Sequence, residues 1–257
     1  MSSRITTVTA VYNRSATIQS AVESVQRQSY TNREYITIDG MSSDGTSEII
    51  QRFSCAITRS IREPDRGIYD ALNKGIRAAT GDIVGFLHAD DMLADESVLE
   101  RIADRFARGD CDAVYGDLVY VDAQEPGRVI RYWKSGDYSL NRFQWGWMPP
   151  HPTVYVRKEI YQQYGSYRTD LGTAADYECM VRLMVGHQIR VAYIPEIFVK
   201  MRVGGKSNAS LKNRLSANRQ DRQAWIENGL APPRALRLTK PLSKIPQYFR
   251  SPPKGFQ

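Results

Sequence analysis

Apolar and polar positions follow two alternating periods along the first half of the chain. Apolar runs of strand length, rich in β-branched residues, stand at 5–11, 35–39, 56–62 and 83–87. The segments between them carry apolar residues at helical spacing, as in Ile18, Val22 and Val25. Strands that alternate with helices pair in parallel through right-handed crossovers. The pattern therefore predicts an α/β fold with a doubly wound, Rossmann-like, mostly parallel sheet flanked by helices.

The second half of the chain is less regular. Residues 122–152 combine Gly, Pro and many aromatic residues, which indicates a long loop or a small antiparallel excursion. The other predicted elements are helices at 97–108, 158–164, 174–185 and 210–228, and strands at 113–121, 189–194 and 197–202. We find neither internal repeats nor low-complexity tracts.

The net charge of +7 is unevenly distributed over the 257 residues. Residues 206–257 hold 11 Lys and Arg against Asp221 and Glu227, which is 11 − 2 = +9 and leaves about −2 for the first 205. A basic tail with interspersed Leu, Ile, Tyr and Phe fits a contact with anionic lipid. A solvated tail is the alternative, and no recognised module supports nucleic-acid binding.

Length, hydropathy and cysteine content place the chain among globular cytoplasmic proteins. We find neither an apolar window of spanning length nor the apolar core of a signal peptide. The three cysteines are widely spaced and odd in number, which favours packed thiols over a disulfide framework or a zinc site.

Acidic residues recur where predicted strands end. They are Asp39, Asp65, the pair Asp90–Asp91 and, further along, Asp176. Ligand sites of open α/β sheets lie at the carboxyl edge, and converging carboxylates there repel one another unless a cation is present. A hard divalent cation such as Mg²⁺ or Mn²⁺, shared with a nucleotide diphosphate, would suit this edge. Singly, each acid could equally be a helix cap or a solvated turn residue.

Four segments resemble the successive motifs of family 2 glycosyltransferases of the GT-A fold. They are VTAVYNR at 8–14, IDGMSSDGT at 38–46, GIYDALNKG at 67–75 and FLHADD at 86–91. The resemblance spans about residues 4–207 and is greatest to bacterial O-antigen and exopolysaccharide enzymes. It implies a GT-A catalytic domain over 1–207, with a nucleotide-sugar half at about 1–118 and an acceptor half at about 119–207. A basic C-terminal helix and tail would occupy 208–257.

The resemblance also implies which residues bind the donor. Thr9, Tyr12 and Asp39 would hold the nucleoside, with Asp39 accepting a hydrogen bond from uracil. Asp65 would lie beside the base or ribose, and Asn73 near the donor sugar.

The metal and the catalytic base are implied in the same way. Asp90 matches the metal ligand of the family's Asp-x-Asp motif, with Mn²⁺ or Mg²⁺ as cofactor. Ala89 and Asp91 flank it on the donor side. Asp176 matches the general base of an inverting transfer. Lys206 belongs to a terminal loop that would close over the diphosphate; a plain hairpin or linker is the other interpretation of that loop.

Three positions depart from the family's pattern. His88 stands where Asp or Asn is common, so it either contacts the ribose or diphosphate or simply packs. Gly40–Met41 replaces the commoner Asp-Gly, and Ala175 replaces the Glu that often precedes the base. None of these changes removes the metal acid or the base.

Three further residues are candidates for the acceptor side. Trp145 and Trp147 would stack on a sugar face or pack within the loop. His151, between Pro150 and Pro152, would border the acceptor or serve a structural role.

The resemblance implies an inverting, metal-dependent glycosyltransferase. Its donor would be a nucleotide sugar, with a UDP-sugar favoured, and its acceptor a lipid-linked saccharide of bacterial surface polysaccharide synthesis. The protein would lie on the inner face of the plasma membrane. The alternatives are a sugar-phosphate nucleotidyltransferase and a non-catalytic nucleotide-sugar binding protein.

Overall fold

The computed structural model describes residues 2–204, 220–233, 247 and 250–253. The strands are β1 (Ile5–Val11), β2 (Arg33–Asp39), β3 (Arg59–Arg62), β4 (Ile83–Phe86), β5 (Met92–Leu93), β6 (Ala113–Val121), β7 (Val129–Trp133), β8 (Tyr155–Arg157) and β9 (Val191–Arg202). The α-helices are α1 (Ile18–Gln26), α2 (Thr46–Arg52), α3 (Ile68–Ala78), α4 (Val98–Ala107), α5 (Leu140–Gln144), α6 (Lys158–Tyr164), α7 (Ala175–Met180) and α8 (220–227). Short 3₁₀ helices occupy His151–Thr153 and Thr169–Ala174, and α7 continues into a π-helical segment at Val181–Gly186.

The nine strands of this part of the chain form one sheet. Its order is β3-β2-β1-β4-β8-β6-β9-β5, and β7 pairs with β6. The first four strands are parallel, as predicted, and α1, α2 and α3 supply their crossovers. β8 is antiparallel to both β4 and β6, whereas β6 and β9 are parallel. The sheet is therefore mixed in its second half.

Apolar side chains cover both faces of the sheet. Every residue of β1 is buried, which requires partners on either side. Val8 and Phe86 belong to the core that includes α3 and α7, whereas Ile5 and Ile83 belong to the core that includes α1 and α4. The carboxyl ends of β1, β2 and β4 thus open at one edge between two packed layers.

The structure corrects the predicted strands in three places. β5 and β8 were not predicted, because two or three residues are too few for a recognisable period. The predicted strands at 189–194 and 197–202 form one strand, β9. Pro195 lies within it, where the register against β6 shifts between Tyr115 and Asp117; a bulge accommodates a residue that has no N–H for the ladder. Residues 122–152 form the small antiparallel excursion that was one of the two predictions for this segment, with strand β7 followed by helix α5.

Gly75 allows α3 to approach β1 closely. A Cβ atom at Gly75 would lie 2.2 Å from Cγ1 of Val8, which is fully buried. We expect Gly75→Ala to lower the free energy of unfolding by about 1–3 kcal/mol, because the core is overpacked. Urea denaturation measures this. Gly127→Ala is the matched control, since a Cβ atom at that position would meet no neighbouring atom within 4 Å; equal loss in both variants would contradict the expectation.

Part of the C-terminal region packs on α7. The indole Nε1 of Trp225 in α8 donates to the hydroxyl of Tyr177 at 2.9 Å, and Trp225 is buried. The rest of the predicted helix at 210–228, Lys206 and most of the basic tail lie outside the described residues.

No helix within the described ranges is both long and apolar enough to cross a membrane. Cys111 and Cys179 are buried free thiols, as predicted, but Cys55 is exposed.

Candidate active site

Asp39 ends β2 and is 1% exposed. Its Oδ1 accepts from the N–H of Ser42 at 2.9 Å, and its Oδ2 accepts from the hydroxyl of Ser47 at 2.5 Å. Arg62 places its Nε 3.4 Å from the same Oδ2. The carboxylate predicted to accept from uracil is therefore already held by the loop that follows β2.

Tyr12 stands beside this loop and is 56% exposed. The adjacent Asn13 has a left-handed φ of 51°, a conformation that Asn tolerates better than most residues. Its N–H donates to Ser42 Oγ at 2.9 Å, and its Oδ1 accepts from the N–H of Ser43 at 2.9 Å. These bonds fix the segment after β1 to the loop after β2 and leave the Tyr12 ring open to a ligand.

Asp65 packs against the backbone of Gly40. A Cβ atom at Gly40 would lie 2.3 Å from Asp65 Oδ2, so a side chain there would displace the carboxylate. Asp65 Oδ1 accepts from the N–H of Gly67 at 2.8 Å, at the start of α3. The structure thus brings Asp39, Asp65 and Tyr12 to one corner of the sheet edge, and Gly40 is what lets Asp65 approach.

Two residues that the sequence predicted to contact the donor are buried and hydrogen-bonded within the protein. Thr9 is fully buried, and its hydroxyl lies 3.0 Å from the hydroxyl of Tyr35. Asn73 is 7% exposed, and its amide bonds the backbone of Tyr167 twice, donating at 2.7 Å and accepting at 2.9 Å. Neither residue type nor sequence position reveals this burial. We therefore assign Thr9 to the core and Asn73 to the positioning of Tyr167.

The two neighbouring acids after β4 face different environments. Asp90 is half-buried, whereas Asp91 is 1% exposed and its Oδ2 has no hydrogen-bond partner among the residues that the structure describes. Burial, and then the neighbouring Asp90, raise the pKa of the Asp91 carboxyl well above its usual range; Arg202 opposes the rise. Arg202, at the end of β9, also donates through Nη1 to the carbonyl of Asp90 at 2.8 Å. Only Asp90 of the pair presents a carboxylate at the edge.

His88 interacts electrostatically with both the predicted metal ligand, Asp90, and the predicted base, Asp176. Burial lowers the pKa of His88, and the carboxylates of Asp90 and Asp176 both oppose that effect. Asp176 stands in the first turn of α7. The carboxylates assigned separately from the sequence therefore lie within electrostatic reach of one imidazole.

Tyr69 is a member of this site that the sequence did not indicate. Its hydroxyl lies within hydrogen-bonding reach of Asp176, both the carboxylate and the backbone N–H, and burial followed by the Asp176 charge raises the pKa of Tyr69. The Tyr69 ring lies 5.6 Å from that of Tyr167. The feature of the sequence that could have indicated Tyr69 is its position in the first turn of α3, directly after the turn at Gly67.

An aromatic cluster supports the site from the interior. His151 is 6% exposed, and its Nε2 lies 2.7 Å from the hydroxyl of Tyr167. Its ring centroid is 6.0 Å from that of His88 and 5.8 Å from that of Phe86. Burial, and then His88, lower the pKa of His151 to about 3. Of the two roles considered for His151, the structure shows packing.

The two tryptophans predicted for the acceptor side differ in exposure. Trp147 is 9% exposed, donates from Nε1 to the carbonyl of Ser135 at 2.9 Å and packs 5.5 Å from Phe143. Trp145 is 60% exposed. Trp147 therefore belongs to the core, and Trp145 alone of these two is available to a sugar. Ala89 is buried beside Asp90.

Within the described residues, no group of three or more His, Cys, Asp or Glu side chains could hold a metal ion. The site instead offers one half-buried carboxylate, Asp90, at an open edge. Mg²⁺ and Mn²⁺ bind oxygen ligands, and Mg²⁺ commonly keeps waters and substrate phosphates in its coordination shell. A single carboxylate fits a cation that takes its other ligands from a diphosphate and water.

Residues 6–165 match the profile of Glycosyl transferase family 2, and the chain belongs to this family. A Mycobacterium tuberculosis protein named PGL/p-HBAD biosynthesis glycosyltransferase is 27% identical over 201 residues, which cover 76% of each chain. An uncharacterized glycosyltransferase of M. tuberculosis is 30% identical over 185 residues, covering 69% of this chain and 68% of that protein.

Solved structures show the same GT-A fold. Residues 1–349 of S. aureus TarS in complex with UDP-GlcNAc superpose with a TM-score of 0.66 at 15% identity, covering 95% of this chain and 78% of that chain. The mannosyltransferase PcManGT from Pyrobaculum calidifontis, in complex with GDP-Man and Mn²⁺, gives 0.66 at 19% identity, with coverages of 97% and 74%. The chain spans only 39% of a longer TarS structure, which it matches with a TM-score of 0.65.

Proposed function

We propose that this glycosyltransferase inverts the anomeric centre as it moves a sugar from a nucleotide diphosphate sugar, a UDP-sugar, to a hydroxyl of a lipid-linked saccharide in bacterial surface polysaccharide synthesis. The observation that carries the proposal is the electrostatic interaction of His88 with both Asp90 and Asp176, near the sheet edge that also holds Tyr12 and Asp65. The nucleotide sugars bound by TarS and PcManGT and the glycolipid pathway in the mycobacterial relative's name support it.

In this mechanism, Asp176 accepts the proton of the attacking hydroxyl. A carboxylate is one of the side chains that commonly serve as a general base. The hydrogen bond from Tyr69 fixes the direction of the carboxylate, while Asn73 and His151 fix Tyr167 beneath Tyr69. Tyr12 would cover the nucleoside, with Asp65 beside it.

Asp90 would hold the divalent cation. When bound, Mn²⁺ or Mg²⁺ stabilises the negative charge of the departing nucleoside diphosphate. Arg202 contributes by holding the Asp90 carbonyl, which keeps the turn at residues 88–91 in place. The N–H of Asp91 closes that turn on the His88 carbonyl at 3.0 Å.

A donor panel tests the function. UDP-, GDP- and dTDP-sugars are mixed with the protein with Mn²⁺, with Mg²⁺ or with EDTA, and released nucleoside diphosphate is measured. We expect release from a UDP-sugar that requires the cation. Release of pyrophosphate from a nucleoside triphosphate and a sugar phosphate would instead identify a nucleotidyltransferase. Binding of a nucleotide sugar with no turnover, even with acceptors present, would identify a binding protein.

We further propose that residues 1–207 form the catalytic unit and that the basic tail, 208–257, contacts anionic lipid on the inner face of the plasma membrane. The charge of +9 over 206–257 supports this location, because each basic residue near an anionic surface contributes about 1 kcal/mol. A chain truncated after residue 228 is expected to sediment less with phosphatidylglycerol vesicles than the full chain. Undiminished sedimentation would reject the membrane role.

Replacing Tyr69 tests its effect on the base. We expect Tyr69→Phe to lower kcat and to move the acid limb of the kcat profile to higher pH, because a hydrogen bond to the ionised carboxylate is lost. The KM for the donor should change little. Tyr30→Phe, which loses a hydroxyl bonded to the carbonyl of Ser3, is the control. A lower kcat with an unmoved pH profile would show that Tyr69 acts only in packing.

A further inference from the structure

A cavity lies on the predicted acceptor half, between the segment that joins β7 to α5 and residues 250–253. Its volume is about 570 Å³. The described residues that line it include Tyr132, Lys134, Ser135, Arg142, Arg250 and Ser251. None of the elements from β1 to β4 contributes a described lining residue, so the cavity is separate from the corner that holds Tyr12, Asp39 and Asp65.

The described lining residues carry three positive charges and no carboxylate. Lys134 is exposed and forms no ion pair with any described residue. Arg142 donates to the backbone carbonyls of Asp137 and Ser135, so its charge is oriented but not neutralised. Burial and the bond to Asp117 raise the pKa of Tyr132, and the nearby Arg250 opposes the rise. Cations gathered at one cavity repel one another, and a bound anion offsets that repulsion.

Hydrogen bonds hold the residues at the base of the cavity, its floor, in place without a ligand. Asp117, fully buried in β6, accepts from the hydroxyl of Tyr132, from the N–H of Ser135 at 2.7 Å and from the hydroxyl of Tyr193 at 2.8 Å. These three hydrogen bonds satisfy the Asp117 carboxylate below the cavity, and Asp117 itself does not line the cavity. The hydroxyl of Tyr115 donates to the Gly136 carbonyl at 2.8 Å. A preorganised floor reduces the ordering cost of binding.

Aromatic packing joins this cavity to the helix that carries the proposed base. Arg142 lies over the Trp147 ring, 4.6 Å from its centroid. Phe143, the next residue, packs 6.4 Å from Tyr177, which follows Asp176 in α7. A ligand in the cavity would therefore be connected through these packed side chains to the helix that carries Asp176.

We propose that this cavity binds the phosphate or diphosphate group of the saccharide acceptor. Arg forms paired hydrogen bonds to phosphate oxygens and Lys supplies a point charge, so Arg142, Arg250 and Lys134 suit that group. The assignment to the acceptor rests on the proposed function, whereas the prediction of phosphate binding does not.

The test titrates inorganic pyrophosphate into the full chain by calorimetry, in metal-free buffer, with and without saturating UDP. We expect saturable binding that UDP leaves unchanged and that Lys134→Ala/Arg250→Ala weakens at least tenfold. Arg52→Ala/Arg108→Ala removes two exposed charges elsewhere and should bind as the unaltered chain does. Equal affinity in both double variants, no saturable binding, or displacement by UDP would overturn the proposal. The single variant Lys134→Ala provides a second measurement if the double variant melts at a lower temperature.

A second arm distinguishes an acceptor phosphate from a membrane headgroup. The same variants are sedimented with phosphatidylglycerol vesicles. Loss of pyrophosphate binding with unchanged sedimentation supports a site for a discrete phosphate group, whereas parallel loss of both assigns the cavity to the membrane surface and contradicts the acceptor assignment. Failure of every donor in the panel would reject the proposed transfer but would leave the pyrophosphate result interpretable.

Discussion

Asp176→Asn is expected to lower sugar transfer by about 10²–10⁴-fold, the usual contribution of a general base, while nucleotide affinity stays unchanged. The amide keeps the shape of the side chain and can still accept from Tyr69, but it cannot take the proton of the attacking hydroxyl. Transfer is measured by turnover at saturating donor and acceptor, and nucleotide affinity by calorimetry with UDP. The transfer that remains should show a weaker dependence on pH on the acid side.

Asp104→Asn is the matched control, because Asp104 is exposed on α4 and makes no hydrogen bond or ion pair that the structure describes. Full activity in Asp176→Asn would remove Asp176 from the mechanism. Loss of UDP affinity together with turnover would instead show that the carboxylate holds the donor.

Asp90→Asn is expected to produce the second large effect, a loss of about 10²–10³-fold in turnover together with a weaker response to added Mn²⁺. Charge stabilisation by a metal in such sites is worth several kcal/mol, and each 1.36 kcal/mol is a factor of ten in rate. The amide retains an oxygen but loses the charge that attracts the cation. Turnover is measured across a range of Mn²⁺ and Mg²⁺ concentrations, again with Asp104→Asn beside it.

The metal response separates two explanations of a loss at Asp90. A higher cation concentration at half-maximal rate indicates a ligand. A lower rate at every cation concentration, with the half-maximal point unmoved, would mean that Asp90 acts on the turn at 88–91 alone. Turnover insensitive to EDTA in the unaltered chain would reject the cation altogether.

The first half of the fold follows from local patterns. β1 and β2 lie within a few residues of their predicted bounds, and α1 contains the predicted apolar face, because periodicity and β-branched composition are properties of short windows. The positions of Asp39, Asp65 and Asp90 beside one sheet edge follow from the parallel pairing that this alternation implies.

The direction in which a side chain points is not local information. Thr9 and Asn73 have polar groups suited to a ligand, yet each is satisfied by a partner far along the chain. Trp147 is satisfied by Ser135 within its own loop. The bond between Tyr69 and Asp176 joins α3 to α7 and depends on how both helices pack. Such contacts depend on how elements distant in sequence pack against one another, and the sequence of a single segment does not determine that packing.

β8 has a consequence for the order of assembly. β4 pairs with β1 on one side, and its other edge pairs with β8, which the ribosome adds only after residue 154. Until then, the apolar strand Ile83–Phe86 presents unpaired backbone groups, the feature that makes sheet edges prone to aggregation. A fragment ending near residue 118 would keep that edge open permanently. We therefore expect the nucleotide-sugar half alone to aggregate, however complete its own motifs are.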